Sequence, residues 1–141
     1  MDASVVVKWL LPEDGQQQAF LLQDLYDDER LNLLAPRILI AEVGNALAKR
    51  CRRGELSENA ANRCFDELIQ DCPVLLDFPN LSSHAFHLAL AHRRAIYDCL
   101  YLALALHHNC DLVTADEKFV RAMQPVFPSV RLLRDYVPSN A

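Results

Sequence analysis

The chain has 141 residues, of which 52% are hydrophobic and 23% charged, with only three glycines. This composition is typical of one compact domain with a sizeable core and excludes a disordered or repetitive chain. The net charge of −5 argues against broad non-specific binding to nucleic acids, although a local basic patch can still guide a polyanion. We predict a single domain over residues 1–141.

The cysteines and the N-terminus indicate the compartment. The chain has five cysteines but no C-x-x-C pair and no zinc spacing, which favours reduced thiols in the cytosol. The N-terminus is acidic and lacks the basic region of a signal peptide. The longest apolar run is too short to span a bilayer. The sequence therefore predicts a cytoplasmic protein without a membrane segment.

The first predicted element is ambiguous. Residues 5–7 are three valines, and their β-branching favours a strand, whereas a short helix capped by Ser4 is the competing interpretation. Residues 16–28 carry apolar side chains at helical spacing among Gln and Asp, which predicts an amphipathic helix. The short apolar run over residues 32–35 predicts a buried strand.

A long helix is predicted next. Pro36 is suited to its first turn, and the pattern continues to about Arg53. Gly54 stands where a glycine commonly ends a helix. A further helix over residues 58–69 follows, with Ser57 as its cap.

The remainder of the chain alternates short apolar runs with helical segments. Strands are predicted over residues 74–76, 111–114 and 130–133, and helices over residues 84–92, 97–106 and 117–123. Ser82 or Ser83 is the predicted cap of the first of these helices. Short apolar strands alternating with helices indicate an α/β fold with a mainly parallel central sheet flanked by helices.

The helix over residues 97–106 carries a single charge, Asp98, among Ala and Leu residues. A helix that is apolar on every side is buried within a fold. A carboxylate there must be paired, must accept backbone hydrogen bonds, or must hold a cation. Taken alone, Asp98 is more simply explained as a first-turn acid that complements the helix dipole.

Three other acids occupy comparable positions. Glu42 lies on the apolar side of its helix, with Asn45 one turn further on the same face. Asp116 directly follows a predicted strand, and ligands of parallel sheets bind at the carboxyl ends of strands. Asp2 precedes the first element. Each acid taken separately is more simply explained as a helix cap or a packed side chain.

The four acids together favour a different interpretation. Carboxylates that converge at one crevice repel each other, and a hard divalent cation relieves that repulsion. Oxygen ligands without His or Cys suit Mg²⁺ or Mn²⁺. Such ions activate water and stabilise charge on phosphate oxygens, so phosphodiester hydrolysis is the reaction class predicted.

Four stretches carry a resemblance to a known family. They are Asp2 to Leu10 (DASVVVKWL), Pro36 with residues 41–45 (AEVGN), residues 97–103 (YDCLYLA) and residues 112–116 (LVTAD). In this order they resemble the PIN-domain ribonucleases, and specifically the VapC-type toxins of toxin–antitoxin pairs. The four stretches cover nearly the whole domain.

The resemblance implies a single PIN-like domain with a parallel sheet between helices and a helix over residues 5–10. It implies a Mg²⁺ or Mn²⁺ site that cleaves RNA through an activated water, lined by Asp2, Glu42, Asp98 and Asp116. It implies supporting polar roles beside that site for Ser4, Asn45 and Thr114. It also implies a homodimer and a VapB-like antitoxin partner.

One departure from the family pattern keeps alternatives open. Several apolar residues normally precede the first Asp and form a central first strand, whereas here only Met1 precedes Asp2. This feature favours a catalytically silent module that uses the fold to dimerise or to bind a partner. A DNA-directed metal-dependent nuclease is a third hypothesis, because the acids alone do not distinguish RNA from DNA.

The basic residues near helix ends also have two open explanations. They either contact RNA phosphates or balance the charge of the helix ends, and the sequence favours neither. These residues are Lys49, Arg50, Arg52, Arg53, Arg93 and Arg94.

Overall fold

A computed structural model describes residues 1–138 of the chain. Within these residues the helices are α1 (Ala3–Leu10), α2 (Gln16–Asp27), α3 (Ile38–Arg52), α4 (Glu58–Gln70), α5 (Leu81–His92), α6 (Ile96–His107) and α7 (Glu117–Met123). The strands are β1 (Leu34–Pro36), β2 (Val74–Leu76), β3 (Leu112–Thr114) and β4 (Val130–Leu132). The α/β class predicted from the sequence is confirmed. No helix in this part of the chain is both long and apolar enough to cross a membrane.

The strands form two parallel pairs that the start of the chain joins. β1 pairs with β2, and β3 pairs with β4. The α-amino group of Met1 donates a hydrogen bond of 2.9 Å to the carbonyl of Leu34 in β1. The backbone N–H of Asp2 donates one of 3.1 Å to the carbonyl of Val113 in β3. The parallel pairing is confirmed, and Met1 and Asp2 bridge the two described strand pairs.

The three valines near the N-terminus are helical, so the strand interpretation is wrong. The cap of α1 is Asp2 rather than Ser4, and its Oδ1 accepts the backbone N–H of Ser4 at 3.0 Å. Val5 and Val6 are completely buried in the core. Burial of these side chains outweighs the small helix penalty of β-branched residues.

The start of the long helix differs from the prediction. Pro36 is the last residue of β1, where it lies opposite Leu76, and α3 begins only at Ile38. Proline has no backbone N–H and cannot donate to a strand ladder, and β1 ends at this residue. The predicted end is confirmed, since Gly54 follows α3 with a φ of 72°, which glycine adopts without strain.

Two other boundaries are also shifted. α5 begins at Leu81 after Asn80, whose φ is 70° and whose side chain makes no capping bond, so the predicted serine caps are wrong. β4 ends at Leu132 because a 3₁₀ turn begins at the next residue. The cap predicted for α4 is confirmed, since the hydroxyl of Ser57 accepts the N–H of Ala60 at 3.2 Å.

α6 lies in the middle of the core, as its composition predicts. It packs against α5, β1 and β3. Its buried residues are Cys99, Tyr101, Leu102, Ala103, Leu104 and Ala105. The first turn of this helix, which carries Asp98, is therefore held in place by core packing.

Truncating a leucine of α6 should destabilise the fold far more than truncating one on the surface of α5. Leu102 is fully buried, whereas Leu90 is 63% exposed. We expect Leu102→Ala to lower the free energy of unfolding by about 2–5 kcal/mol through lost burial and a residual cavity. Leu90→Ala should change it by less than about 0.5 kcal/mol. Urea denaturation measures both, and equal losses would contradict the placement of α6 in the core.

Candidate active site

Asp2 is held by a hydroxyl network at the N-terminus of α1. Its Oδ1 accepts the hydroxyl of Ser4 at 2.5 Å in addition to the Ser4 backbone N–H. The same hydroxyl oxygen accepts the backbone N–H of Ala115 at 2.9 Å. Burial raises the pKa of Asp2, and hydrogen bonding from the hydroxyls of Ser4 and Thr114 opposes that rise. The side chain is thus oriented by its own helix and by the end of β3.

Asp116 occupies an equivalent position at the N-terminus of α7. Its Oδ1 accepts the backbone N–H groups of Lys118 at 2.8 Å and Phe119 at 3.0 Å. Thr114 is fully buried, and its Oγ1 accepts the N–H of Asp116 at 3.0 Å. The hydroxyls of Thr114 and Ser4 lie 3.5 Å apart. These two hydroxyls therefore connect the caps of α1 and α7, so the capping interpretation of both aspartates is confirmed.

Glu42 lies half-buried on α3 and is hydrogen-bonded from α6. Its Oε2 accepts the hydroxyl of Tyr101, a side chain that is 3% exposed. Burial raises the pKa of Glu42, the bond from Tyr101 opposes the rise, and the charge of Asp2 adds to it. Sequence analysis assigned no role to Tyr101. The sequence does place Tyr101 three residues after Asp98, on the same face of the helix, and this spacing could have indicated that Tyr101 lies near the acids.

Asp98 is the acid on which the others converge. Its pKa is raised to about 6 by burial, then by the charges of Asp2, Asp116 and Glu42. The exposed guanidinium of Arg94, just before α6, opposes this rise. The ionised form of Asp98 is thus disfavoured overall. The structure therefore places the carboxylates of Asp2, Asp116 and Glu42 within electrostatic range of Asp98.

The chemistry of this acid cluster fits a divalent cation, although its geometry is not that of an assembled site. Within residues 1–138, no three His, Cys, Asp or Glu side chains form a group that could hold a metal ion as they stand. One oxygen each of Asp2, Glu42 and Asp116 is occupied by hydrogen bonds from the chain itself. The donors are all carboxylate oxygens, the ligands that Mg²⁺ and Mn²⁺ prefer. Such a cation would neutralise the negative charges of Asp2, Asp116 and Glu42, which contribute to the raised pKa of Asp98.

Two other candidates from the sequence, Asn45 and Arg50, form no hydrogen bond or ion pair with the four acids within the described residues. Asn45 is exposed on α3, one turn beyond Glu42, and no hydrogen bond in the described part of the chain links it to the acids. Arg50 forms ion pairs with Glu13 and Glu55, which ties this member of the basic set to the surface of the fold.

Comparison with known proteins identifies relatives along most of the chain. The PIN domain model matches residues 1–123. Ribonuclease VapC3 of Pyrobaculum aerophilum is 33% identical over 132 residues, covering 89% of this chain and 97% of that protein. Ribonuclease VapC1 of Mycobacterium tuberculosis is 33% identical over 140 residues, covering 95% and 96% respectively.

A solved structure agrees in fold. The crystal structure of PAE2754 from Pyrobaculum aerophilum superposes with a TM-score of 0.68 and covers 94% of this chain and 88% of that one. The two sequences are 24% identical, so this likeness concerns the fold alone.

Neutralising Asp98 should stabilise the metal-free protein. The rise of its pKa from 3.8 to about 6 corresponds to roughly 3 kcal/mol, which solvent screening at this half-buried position reduces to about 1 kcal/mol. We expect Asp98→Asn to raise the melting temperature in chelator above neutral pH by about 2–4 °C. Asp66→Asn, which neutralises an exposed acid on α4, is the matched control. A lower melting temperature for Asp98→Asn would show that the acids do not repel each other.

Proposed function

The chain belongs to the PIN-domain family and is related to VapC ribonucleases, and on that premise we propose that it is a metal-dependent endoribonuclease. We propose further that it is the toxin of a type II toxin–antitoxin pair. The observation that carries the proposal is the cluster of four carboxylates, in which burial and then the charges of the other three raise the pKa of Asp98. Separate structural roles, such as helix capping, would not require the four acids to lie close enough for three of them to act on Asp98.

In this proposal the catalytic and metal-binding residues are Asp2, Glu42, Asp98 and Asp116. A bound Mg²⁺ or Mn²⁺ supplies an activated water and stabilises charge on the phosphate oxygens during hydrolysis. Ser4 and Thr114 act as supporting residues, because their hydroxyls orient the two N-capping aspartates. Asn45 is assigned a polar contact with substrate from its position beside Glu42 on α3.

Arg94 is proposed to contact an RNA phosphate. The substrate is a polyanion, and four carboxylates would repel it unless a cation offsets their charge. Arg94 is exposed and acts electrostatically on Asp98. Within the described residues it forms no ion pair that would commit its guanidinium elsewhere.

The partners and the setting are proposed from family membership. They are an RNA substrate, a VapB-like antitoxin that silences the toxin, and a second copy of the chain in a homodimer. The proposal also takes residues 1–141 as one domain of a cytoplasmic protein. The silent binding module and the DNA-directed nuclease are the alternatives that the following experiment separates.

Purified protein should cleave RNA only with a divalent ion and with Asp98 present. We expect cleavage of a mixed RNA pool in Mn²⁺ or Mg²⁺ and none in chelator. Asp98→Asn should lower the cleavage rate by a factor of about 100 or more, because it removes one charge from the proposed site but little volume. Gel analysis of the fragments measures both effects, and Asp66→Asn should cleave like the wild type.

The other outcomes favour the alternatives. Equal rates on single-stranded DNA and RNA would favour a nuclease without preference for RNA. Metal-independent cleavage, or full activity of Asp98→Asn, would contradict the proposed site. Neither cleavage nor metal binding would favour the silent module.

Divalent ions should also stabilise the fold. Binding to the folded state alone adds about 2.7 kcal/mol when the ion is in roughly 100-fold excess over its dissociation constant. We expect the melting temperature of the wild type to rise through a Mn²⁺ titration, and that of Asp98→Asn to rise less at each concentration. Thermal unfolding monitored by circular dichroism measures the response. A flat titration of the wild type would count against a metal site.

A further inference from the structure

The hydrogen bond between Tyr101 and Glu42 joins two elements of the fold at the acid cluster. Tyr101 lies on α6 one turn after Asp98, and its side chain is 3% exposed. Its hydroxyl donates to Oε2 of Glu42 on α3, which is 59 positions away in the sequence. The bond therefore links the helix that carries one acid of the cluster to the helix that carries another.

A purely structural role does not explain the hydroxyl of Tyr101. The other buried side chains of α6 are those of Cys, Leu and Ala. Tyr101 is therefore the only buried residue of this helix whose side chain contains an oxygen atom. Burying a hydroxyl costs free energy unless it forms a hydrogen bond, and phenylalanine would fill a similar volume without that requirement. The acceptor in this bond is a carboxylate with its own burial penalty.

The chemistry of the two groups fixes the direction of the bond. A phenol carries a hydroxyl proton at neutral pH, whereas an ionised carboxylate has only acceptor oxygens. The hydroxyl of Tyr101 is therefore the donor, and the carboxylate of Glu42 accepts. A glutamate side chain has several rotatable bonds, so a donor from a rigid, buried ring restricts its carboxylate to one orientation.

We propose that Tyr101 is a positioning residue that orients Glu42 for divalent-metal binding. The hydroxyl bonds Oε2, and no hydrogen bond within the described residues engages Oε1. Hydrogen-bond partners of this kind fix the orientation of carboxylate ligands and raise metal affinity. This inference rests on the proposed function, because it assigns Glu42 to the metal site.

Calorimetric titration with Mn²⁺ tests the proposal in the absence of RNA. We expect Tyr101→Phe to bind Mn²⁺ at least about 10-fold more weakly than the wild type, since loss of an outer partner has effects of that size. Tyr26→Phe is the matched control, because its hydroxyl bonds a backbone carbonyl, that of Cys72, at 3.4 Å. This control should bind Mn²⁺ with the affinity of the wild type.

A double-mutant cycle identifies the residue through which Tyr101 acts. In the Glu42→Ala background, where the three other acids remain, adding Tyr101→Phe should cause no further loss of Mn²⁺ affinity. A similar 10-fold loss in both backgrounds would place the effect of Tyr101 elsewhere and overturn the proposal. Unchanged affinity of Tyr101→Phe with a lower melting temperature would show a structural role only and would also overturn it.

The same titration separates this inference from the proposed function. Mn²⁺ binding by the wild type that Tyr101→Phe leaves intact overturns the positioning role alone. No binding of Mn²⁺ by the wild type would overturn the metal site itself, and the positioning role with it.

Discussion

The two backbone hydrogen bonds at the start of the chain are the constraint on which the rest of the structure depends. The α-amino group of Met1 bonds to β1, and the N–H of Asp2 bonds to β3, so these two residues connect the two strand pairs. Asp2 is also the cap of α1, whose valines fill the core. The position of this carboxylate is therefore set by the strands and the core together.

The acid cluster is a local source of instability that the surrounding donors limit. Asp2 and Asp116 accept hydrogen bonds from backbone N–H groups, and Glu42 accepts one from a buried tyrosine. The rise in the pKa of Asp98, caused by burial and by the charges of the other three acids, is opposed only by the exposed charge of Arg94. Strongly perturbed carboxylates in one cluster are characteristic of functional sites, because a ligand then has free energy to gain there.

Sequence reasoning succeeded where the determining contacts are local. The cap of α4 by Ser57 and the end of α3 at Gly54 depend on groups within a few residues. For residues 5–7 β-branching alone favoured a strand, but the helix that the family resemblance implies is confirmed, because burial of the valines in the core overrides their strand preference. Sequence reasoning failed for Pro36, which was predicted in the first turn of the long helix. The proline lies in β1 instead, because β1 pairs with β2 up to Pro36 and Leu76.

The sequence by itself determined the α/β alternation, the family resemblance and the identities of the four acids, since these depend on residue type, spacing and order. Only the tertiary structure decided that Met1 and Asp2 together bridge the strand pairs, that Tyr101 donates to Glu42, and that the hydroxyls of Ser4 and Thr114 meet. The last two contacts join residues 59 and 110 positions apart. Separations of this size are closed by packing of the whole core, and no local pattern records which side chains that packing brings together.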